Sequence, residues 1–250
     1  VYRDVTGAIG ALAALGRVSA PGPDAIPPAA RSVAGLEAAR ALGYFEARAT
    51  IAAAGVPLVP ALRATSADEA TRAAAELGYP VVLKALGLLH KSDAGGVALA
   101  LADEAALTAA LARMAAELAP EAYAVERMAD LGAGTELIVG CRRDPRFGPL
   151  VLVGLGGIHA EIVSDVAVAL APAAEDELER LLLELRGASL LTGARGRPPL
   201  AVREAAAAAA ALSRLAAGRP DVLEIEVNPL LADRDGVLGL DARVVLAEVP

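Results

Sequence analysis

The chain has 250 residues, a formal net charge of −8, 56% hydrophobic residues and only 2% aromatic ones. An acidic balance argues against a nucleic-acid binder, because a phosphate backbone requires a basic surface. Cys141 is the single cysteine, which excludes an intrachain disulfide and a cysteine-based metal site and fits a reducing cytoplasm. No stretch reads as a signal peptide or membrane span, since the apolar runs are short and broken by Gly, Pro or charge.

With so few aromatics, the core must be built from Ala, Leu and Val, which favours close helix–sheet packing. Residues 1–34 are rich in Gly, Pro and Ala and hold Pro21, Pro23, Pro27 and Pro28, which cannot continue a helix. This stretch reads as a linker, and a start at Val1 without Met predicts an upstream domain. A helical pattern then runs from Leu36 to Ala54 and stops at Gly55. Val56–Val59 reads as a short strand. Ser66-Ala67-Asp68-Glu69 resembles a capping box opening a helix that ends at Gly78. Residues 79–84 form a β run ending on Lys84, and 97–101 a second strand. An amphipathic helix is predicted over 103–118, followed by strands near 122–126, 136–140 and 150–154. Helices are predicted at 175–185 and 200–217, the second including the alanine run 205–211, with closing strands at 223–227 and 237–240. Strands alternate with helices throughout, so the class is α/β.

Only two of the 23 Lys and Arg residues are lysines, and both fall in the segment Lys84-Ala85-Leu86-Gly87-Leu88-Leu89-His90-Lys91. A sequence this biased toward arginine uses lysine where a compact ammonium serves better than a planar fork, as on a single phosphate oxygen. Lys84 closes an apolar strand; it reads either as a solvent-reaching strand end or as a phosphate-binding lysine. Gly95-Gly96 follows Ser92-Asp93-Ala94. Paired glycines leave backbone N–H groups open to an anion and also suit a hairpin turn between the flanking strands. The pattern is not a Walker A loop. Gly154-Leu155-Gly156-Gly157 is not a dinucleotide fingerprint either, because no helix signal follows it. His90 reads as structural or as a phosphoryl carrier through an imidazole nitrogen. His159 reads as structural.

Glu224, Glu226 and Asn228 alternate along one strand, and Asp241 ends the next apolar run. Period 2 sets the first three on one face. Carboxylate and amide oxygens from adjacent strands suit Mg²⁺, which takes hard oxygen ligands and keeps waters and phosphates in its shell. The alternative is a solvent-facing acidic strand.

Taken in order, Gly78-Tyr79-Pro80-Val81-Val82-Leu83-Lys84, His90-Lys91-Ser92-Asp93-Ala94-Gly95-Gly96-Val97, Glu136-Leu137-Ile138-Val139-Gly140, Asp144-Pro145-Arg146-Phe147-Gly148-Pro149, Gly154-Leu155-Gly156-Gly157-Ile158, Arg195-Gly196-Arg197-Pro198-Pro199 and Glu226-Val227-Asn228-Pro229-Leu230 form a specific set. The set resembles the ATP-grasp domain of the NDP-forming (ADP-forming) acyl-CoA synthetases, the acetate–CoA ligase family related to the succinyl-CoA synthetase β subunit. The resemblance covers about residues 36–247. It implies an ATP-grasp fold, two α+β lobes clasping a nucleotide: a smaller lobe over 35–126 with the phosphate loop and a larger lobe over 127–250 with the Mg²⁺ site. It implies ATP or ADP with Mg²⁺ as cofactors. Lys84, Gly95 and Gly96 would meet the phosphates. Glu126, Arg127 and Met128 would meet adenine largely through backbone groups, with Glu136 near the ribose. Asn228 and Asp241 would hold Mg²⁺, with Glu226 beside them. The family reaction is acyl-CoA + ADP + phosphate ⇌ acid + CoA + ATP. In it phosphate travels on histidine, which assigns His90 as the relay and Asp93 as its orienting group. His159 departs from the bulky apolar or aromatic residue expected after Gly-Gly-Ile.

The resemblance also implies a partner, the CoA-binding, acid-activating half, as an upstream domain or an α subunit. No CoA-binding Rossmann half is present here, so this chain is expected to bind nucleotide without completing the reaction alone. It implies an oligomer in the cytoplasm, with no nucleic-acid or membrane partner. The competing reading is a non-catalytic nucleotide- or metabolite-sensing ATP-grasp module of a protein lysine acetyltransferase. A carboxylate–amine ligase is disfavoured by His90, since such enzymes need no histidine relay.

Overall fold

The computed structural model describes residues 39–87, 95–157, 165–193, 196 and 198–248. These fall into two compact units. The smaller comprises Gly43–Phe45 and Val59–Asp130; the larger takes the described residues up to Leu42, Glu46–Leu58 and those from Leu131 onward. His90, Asp93 and His159 lie outside the described residues.

The smaller unit is a four-stranded antiparallel sheet with two helices on one face. Its strands are β2 (Ala61–Ala64), β3 (Val81–Leu86), β4 (Val97–Leu101) and β5 (Ala122–Arg127), in the order β2-β5-β3-β4. The helices are α2 (Ala67–Leu77) and α3 (Glu104–Leu118). Ser66 caps α2 by accepting from the Glu69 N–H at 3.2 Å. Glu69 reaches back to the Thr65 N–H (2.7 Å) and hydroxyl, and these hydrogen bonds hold its carboxyl below the usual range. Asp103 caps α3 through the Ala106 N–H at 2.8 Å. Strand alternation sends Val81, Leu83, Ala85, Tyr123 and Val125 into the core beneath these helices. It sends Lys84 and Glu126 to the other face.

The larger unit is built on an antiparallel sheet in the order β1-β11-β9-β6-β7-β8, with β10 also paired to β9. The strands are β1 (Ala39–Ala41), β6 (Thr135–Asp144), β7 (Gly148–Leu155), β8 (Val166–Leu170), β9 (Val222–Ala232), β10 (Val237–Gly239) and β11 (Ala242–Ala247). Helices α1 (Tyr44–Ala53), α4 (Glu175–Leu183), α5 (Ser189–Thr192) and α6 (Val202–Gly218) complete the chain. Residues 44 and 45 of α1 group with the smaller unit. The alanines of α6 are buried with Leu178 and Leu182 of α4 against Val139, Val153 and Ile225. Methyl-sized side chains let this helix lie close to the sheet, which is how a core lacking aromatics reaches full density. Arg143 ties β6 to the end of α6: its guanidinium donates to the carbonyls of Ala216 (2.6 Å), Arg219 (3.0 Å) and Val222 (3.2 Å). Cys141 is buried in the same core, where desolvation pushes its thiol far above the ordinary range.

Several local expectations change. The helix expected from Leu36 begins at Tyr44, because residues 39–41 are recruited as an edge strand, Ala39 pairing with Ala247 and Ala41 with Val245. Val56–Val59 forms no strand; it contributes one bridge, Leu58 to Gly239. The boundary also differs from 35–126 and 127–250. β1 and Glu46–Leu58 group with the larger unit, since β1 pairs with β11 and Ile51 enters the larger core.

Gly154 marks a tight approach between β7 and β8: a Cβ there would stand 2.7 Å from the Asp165 carbonyl oxygen and 3.1 Å from Val166 Cα. Neither backbone atom can rotate away. Gly154→Ala is therefore expected to lower unfolding free energy by about 1–3 kcal/mol. Urea denaturation checks this, and an unchanged midpoint would show that β8 gives way freely.

Candidate functional site

In the smaller unit the sequence-derived residues converge on one face of the sheet. Lys84 lies on β3 between Val97 of β4 and Ala124 of β5. Glu126 lies opposite Val82, so its side chain is diagonal to Lys84 on the same face. Both are buried, at 7% and 2% exposure, which charged residues tolerate only when paired. They are paired: Lys84 Nζ is 3.0 Å from Glu126 Oε2. Tyr44 closes the group. Its hydroxyl accepts from Lys84 Nζ at 3.3 Å and donates to Glu126 Oε1. Its ring centroid lies 5.4 Å from the ammonium, within cation–π range.

Gly95 and Gly96 sit at the root of β4, one step from Lys84. Gly96 is buried and its carbonyl accepts from the Ala85 N–H at 2.8 Å. Gly95 has φ +74°, a conformation that suits glycine, and a Cβ there would meet nothing within 4 Å. Beyond Glu126 the chain is anchored. The N–H of Arg127 donates to Pro60 and that of Met128 to Pro80, each at 3.1 Å, while Arg127 Nε donates to the Leu77 carbonyl at 3.2 Å. These backbone donors are used within the unit, so a base at this strand end would meet acceptors and side chains rather than those two amides. The Glu126 carboxylate, expected only as part of a backbone contact, is instead the partner of Lys84.

In the larger unit a second group shares the sheet face opposite α4 and α6. Leu137, Val139 and Cys141 point into the core, so Glu136 and Arg142 take the other side. Glu226, Asn228 and Asp241 lie on that side too. Asn228 Nδ2 donates to Glu226 Oε1 at 2.9 Å, and its backbone N–H donates to the Asp241 carbonyl at 3.3 Å. The Asp241 carboxylate accepts from the Ala242 N–H at 3.0 Å. With the amide nitrogen turned to Glu226, the Asn228 side-chain oxygen is directed away from that carboxylate. That donor set is all hard oxygen and fits Mg²⁺ with retained waters. Among the described residues no three His, Cys, Asp or Glu side chains form a metal cage by themselves, so an ion here would depend on waters or phosphate oxygens. Glu224, on the same strand face, is committed to arginine: it pairs with Arg243 and lies 3.9 Å from Arg142.

Glu136 meets the glycine turn after β7. Its carbonyl accepts from the Gly156 N–H at 2.7 Å, and a Cβ on Gly157 would fall 2.9 Å from its Oε2. Gly157 has φ +61°. The Gly156-Gly157 pair thus makes room for the Glu136 carboxylate. Tyr44, Arg142 and Arg243 were not among the candidates. Tyr44 carried a signal: with Phe45 it forms the one adjacent aromatic pair in a chain with four Tyr and two Phe. Asp165, also not foreseen, is buried and structural. It accepts from the N–H groups of Arg186 (3.0 Å) and Gly187 (2.7 Å), stapling the turn after α4 to the start of β8.

Residues 34–246 match the family model described as an ATP-grasp domain. The chain belongs to the ATP-grasp family. It is 36% identical over 210 residues to the β subunit of the ADP-forming acetate–CoA ligase I of Pyrococcus furiosus, covering 80% of this chain and 90% of that subunit. It is 37% identical to a trans-feruloyl-CoA synthase from an unknown prokaryotic organism, covering 81% of this chain but 30% of that protein. Among solved structures, the dinucleotide-forming acetyl-CoA synthetase 1 of Ca. Korarchaeum cryptofilum superposes with TM-score 0.77 and 33% identity in its complex with coenzyme A and Ca-AMPCP, over 83% of this chain and 93% of that one. Its complex with coenzyme A and Mg-AMPPCP, with a phosphohistidine segment pointing towards the nucleotide site, gives TM-score 0.73 and 33% identity over 82% and 92%. The ATP-grasp chain therefore matches most of the length of a separate β subunit but less than a third of the trans-feruloyl-CoA synthase. The relatives are ligases, and the sensor module of an acetyltransferase gains no support from them. Among the described residues of this ATP-grasp chain, no helix is long and apolar enough to cross a membrane.

A buried ammonium left without its carboxylate is heavily penalised, whereas replacing both partners by apolar groups is tolerated. Glu126→Ala is expected to destabilise the fold by about 3–5 kcal/mol, and Lys84→Met combined with Glu126→Leu to recover most of that loss. Thermal and urea unfolding of the single and double variants checks this. A single variant as stable as the native chain would show that the pair is not desolvated.

Proposed function

We propose that this chain is the nucleotide-binding, β-like part of an ADP-forming acyl-CoA synthetase, moving a phosphoryl group between ADP and a phosphohistidine. The observation that carries the reading is coextension: the chain aligns with 90% of a β subunit that works in an ADP-forming acetate–CoA ligase. The site chemistry supports it. Phosphoryl transfer depends on positioning and charge neutralisation more than on covalent work by the protein. Lys84 supplies a point charge from within β3 rather than from the strand end the sequence pattern predicts, and Gly95 and Gly96 let the loop backbone approach the phosphates. Glu126, Arg127 and Met128 border the base, and Glu136 the ribose. Asn228 and Asp241, with Glu226 behind them, would hold Mg²⁺, which when bound neutralises charge on the nucleotide phosphates. His90, oriented by Asp93, carries the phosphoryl group toward the partner, a CoA-binding, acid-activating half. The phosphohistidine segment of the Ca. Korarchaeum enzyme makes such a relay chemically familiar.

Calorimetry with Mg²⁺-ADP is expected to show binding. Lys84→Ala should weaken it by roughly tenfold or more, the range for losing a charge-assisted hydrogen bond. Unchanged affinity would remove Lys84 from the site. Asp241→Asn is expected to raise the Mg²⁺ concentration needed for half-maximal turnover in the complete enzyme, and an unchanged requirement would reject the metal assignment. In the assembled enzyme supplied with labelled phosphate and acyl-CoA, acid-labile label should appear on this chain and vanish in His90→Ala. Label that persists in the variant would rule out His90 as the carrier.

A further inference from the structure

The Lys84 ammonium is fixed by more than its ion pair. Glu126 offers two oxygens, and each has a different partner: Oε2 lies 3.0 Å from Lys84 Nζ, and Oε1 accepts from the Tyr44 hydroxyl. The same hydroxyl accepts from Nζ at 3.3 Å. The three side chains thus form a closed ring of contacts that uses two of the three ammonium protons and the tyrosine hydroxyl proton. The ammonium lies 5.4 Å from the Tyr44 ring centroid, at the hydroxyl end of the ring, and the ring is itself braced edge-on by Phe45, with centroids 5.3 Å apart. A lysine side chain loses about 2 kcal/mol of rotamer freedom when one geometry is imposed on it. Here that ordering is already complete before any phosphate arrives.

The geometry points to Tyr44 as a positioning residue for nucleotide phosphates, acting through Glu126 to hold the Lys84 ammonium at one place. The inference rests on the reading of Lys84 as the phosphate-contacting lysine. A tyrosine that only filled space would need its ring and not its hydroxyl. A tyrosine that positions Lys84 needs the hydroxyl, because that atom touches both charged partners. Tyr44 does not touch the substrate in this scheme; it sets where the charge that meets the phosphates is held. The ring and hydroxyl therefore have separable roles, the first in packing, the second in orienting the carboxylate and the ammonium.

The test is a double-mutant cycle on the full chain, with Mg²⁺-ADP affinity as the readout and adenosine as the phosphate-free control. Tyr44→Phe keeps the ring and is expected to weaken ADP about tenfold, as loss of a hydrogen bond to a charged group does, while leaving adenosine affinity unchanged. In a Lys84→Ala background the same substitution should have almost no further effect on ADP, because the residue acts through Lys84. Glu126→Gln, which keeps the shape of the side chain, should likewise lose its effect in that background. Equal losses in both backgrounds, or equal losses of ADP and adenosine, would assign Tyr44 a structural role and overturn the inference. If Lys84→Ala leaves ADP binding intact, the reading of the site itself fails. If Lys84→Ala weakens ADP while Tyr44→Phe does not, only the inference about Tyr44 fails.

Discussion

A buried lysine–glutamate pair is the constraint around which the smaller unit is arranged. Taking two charges out of water costs more than their attraction returns unless the geometry is good and the remaining polar atoms are satisfied. Stability alone would be better served by two apolar side chains on the strands β3 and β5. The pair is retained on a sheet face whose reverse side is ordinary core, with Leu83 and Val125 as neighbours in the strands. One residue step therefore separates a packed interior from a fixed charge. That alternation is the simplest way for a strand to place a cation rigidly: the backbone is locked by ladders on both sides, and the side chain by partners on the adjacent strand and on α1.

The larger unit follows the same division with different chemistry. Its helix-covered face is alanine, leucine and valine, and the small volume of alanine lets α6 lie near the sheet. Its other face carries Glu136, Glu226, Asn228 and Asp241, held by backbone contacts across β9 and β11 and at the glycine turn after β7. Glu224, two residues earlier on the same strand face, is engaged by Arg243 and Arg142 and so is unsuited to a cation.

This arrangement explains which features were legible in the sequence. Elements with local signals were readable: α2 and α3 announce their starts through Ser66 and Asp103, and β3 and β5 are short apolar runs. Lys84, Glu226 and Asn228 stood out by scarcity or by period, and the structure places each where its strand alternation predicts. Elements defined by pairing alone were not readable. β1 is Ala-Arg-Ala, a run with helical propensity that becomes a strand only because β11 lies beside it. β8 and β11 likewise depend on their neighbours. The role of Glu126 was hidden for the same reason: its position at the end of an apolar strand is local information, but its diagonal relation to Lys84 and its hydrogen bond from Tyr44, 82 residues away, are not.

The scarcity of lysine acquires a structural reason from this geometry. Arginine is used at 21 of the 23 Lys and Arg positions, so its absence at residue 84 is informative. A guanidinium there would meet Glu126 fork to fork and occupy both carboxylate oxygens, as arginine–carboxylate pairs tend to do. Oε1 would then no longer be available to the Tyr44 hydroxyl, and the planar cation would be oriented by the carboxylate alone. An ammonium occupies one oxygen, at 3.0 Å, and leaves the other to tyrosine. It also directs its protons tetrahedrally rather than in one plane, so its bonds to carboxylate and hydroxyl do not dictate a single approach for whatever else it meets. A lysine rather than an arginine is what allows one buried carboxylate to anchor a tyrosine and a cation together.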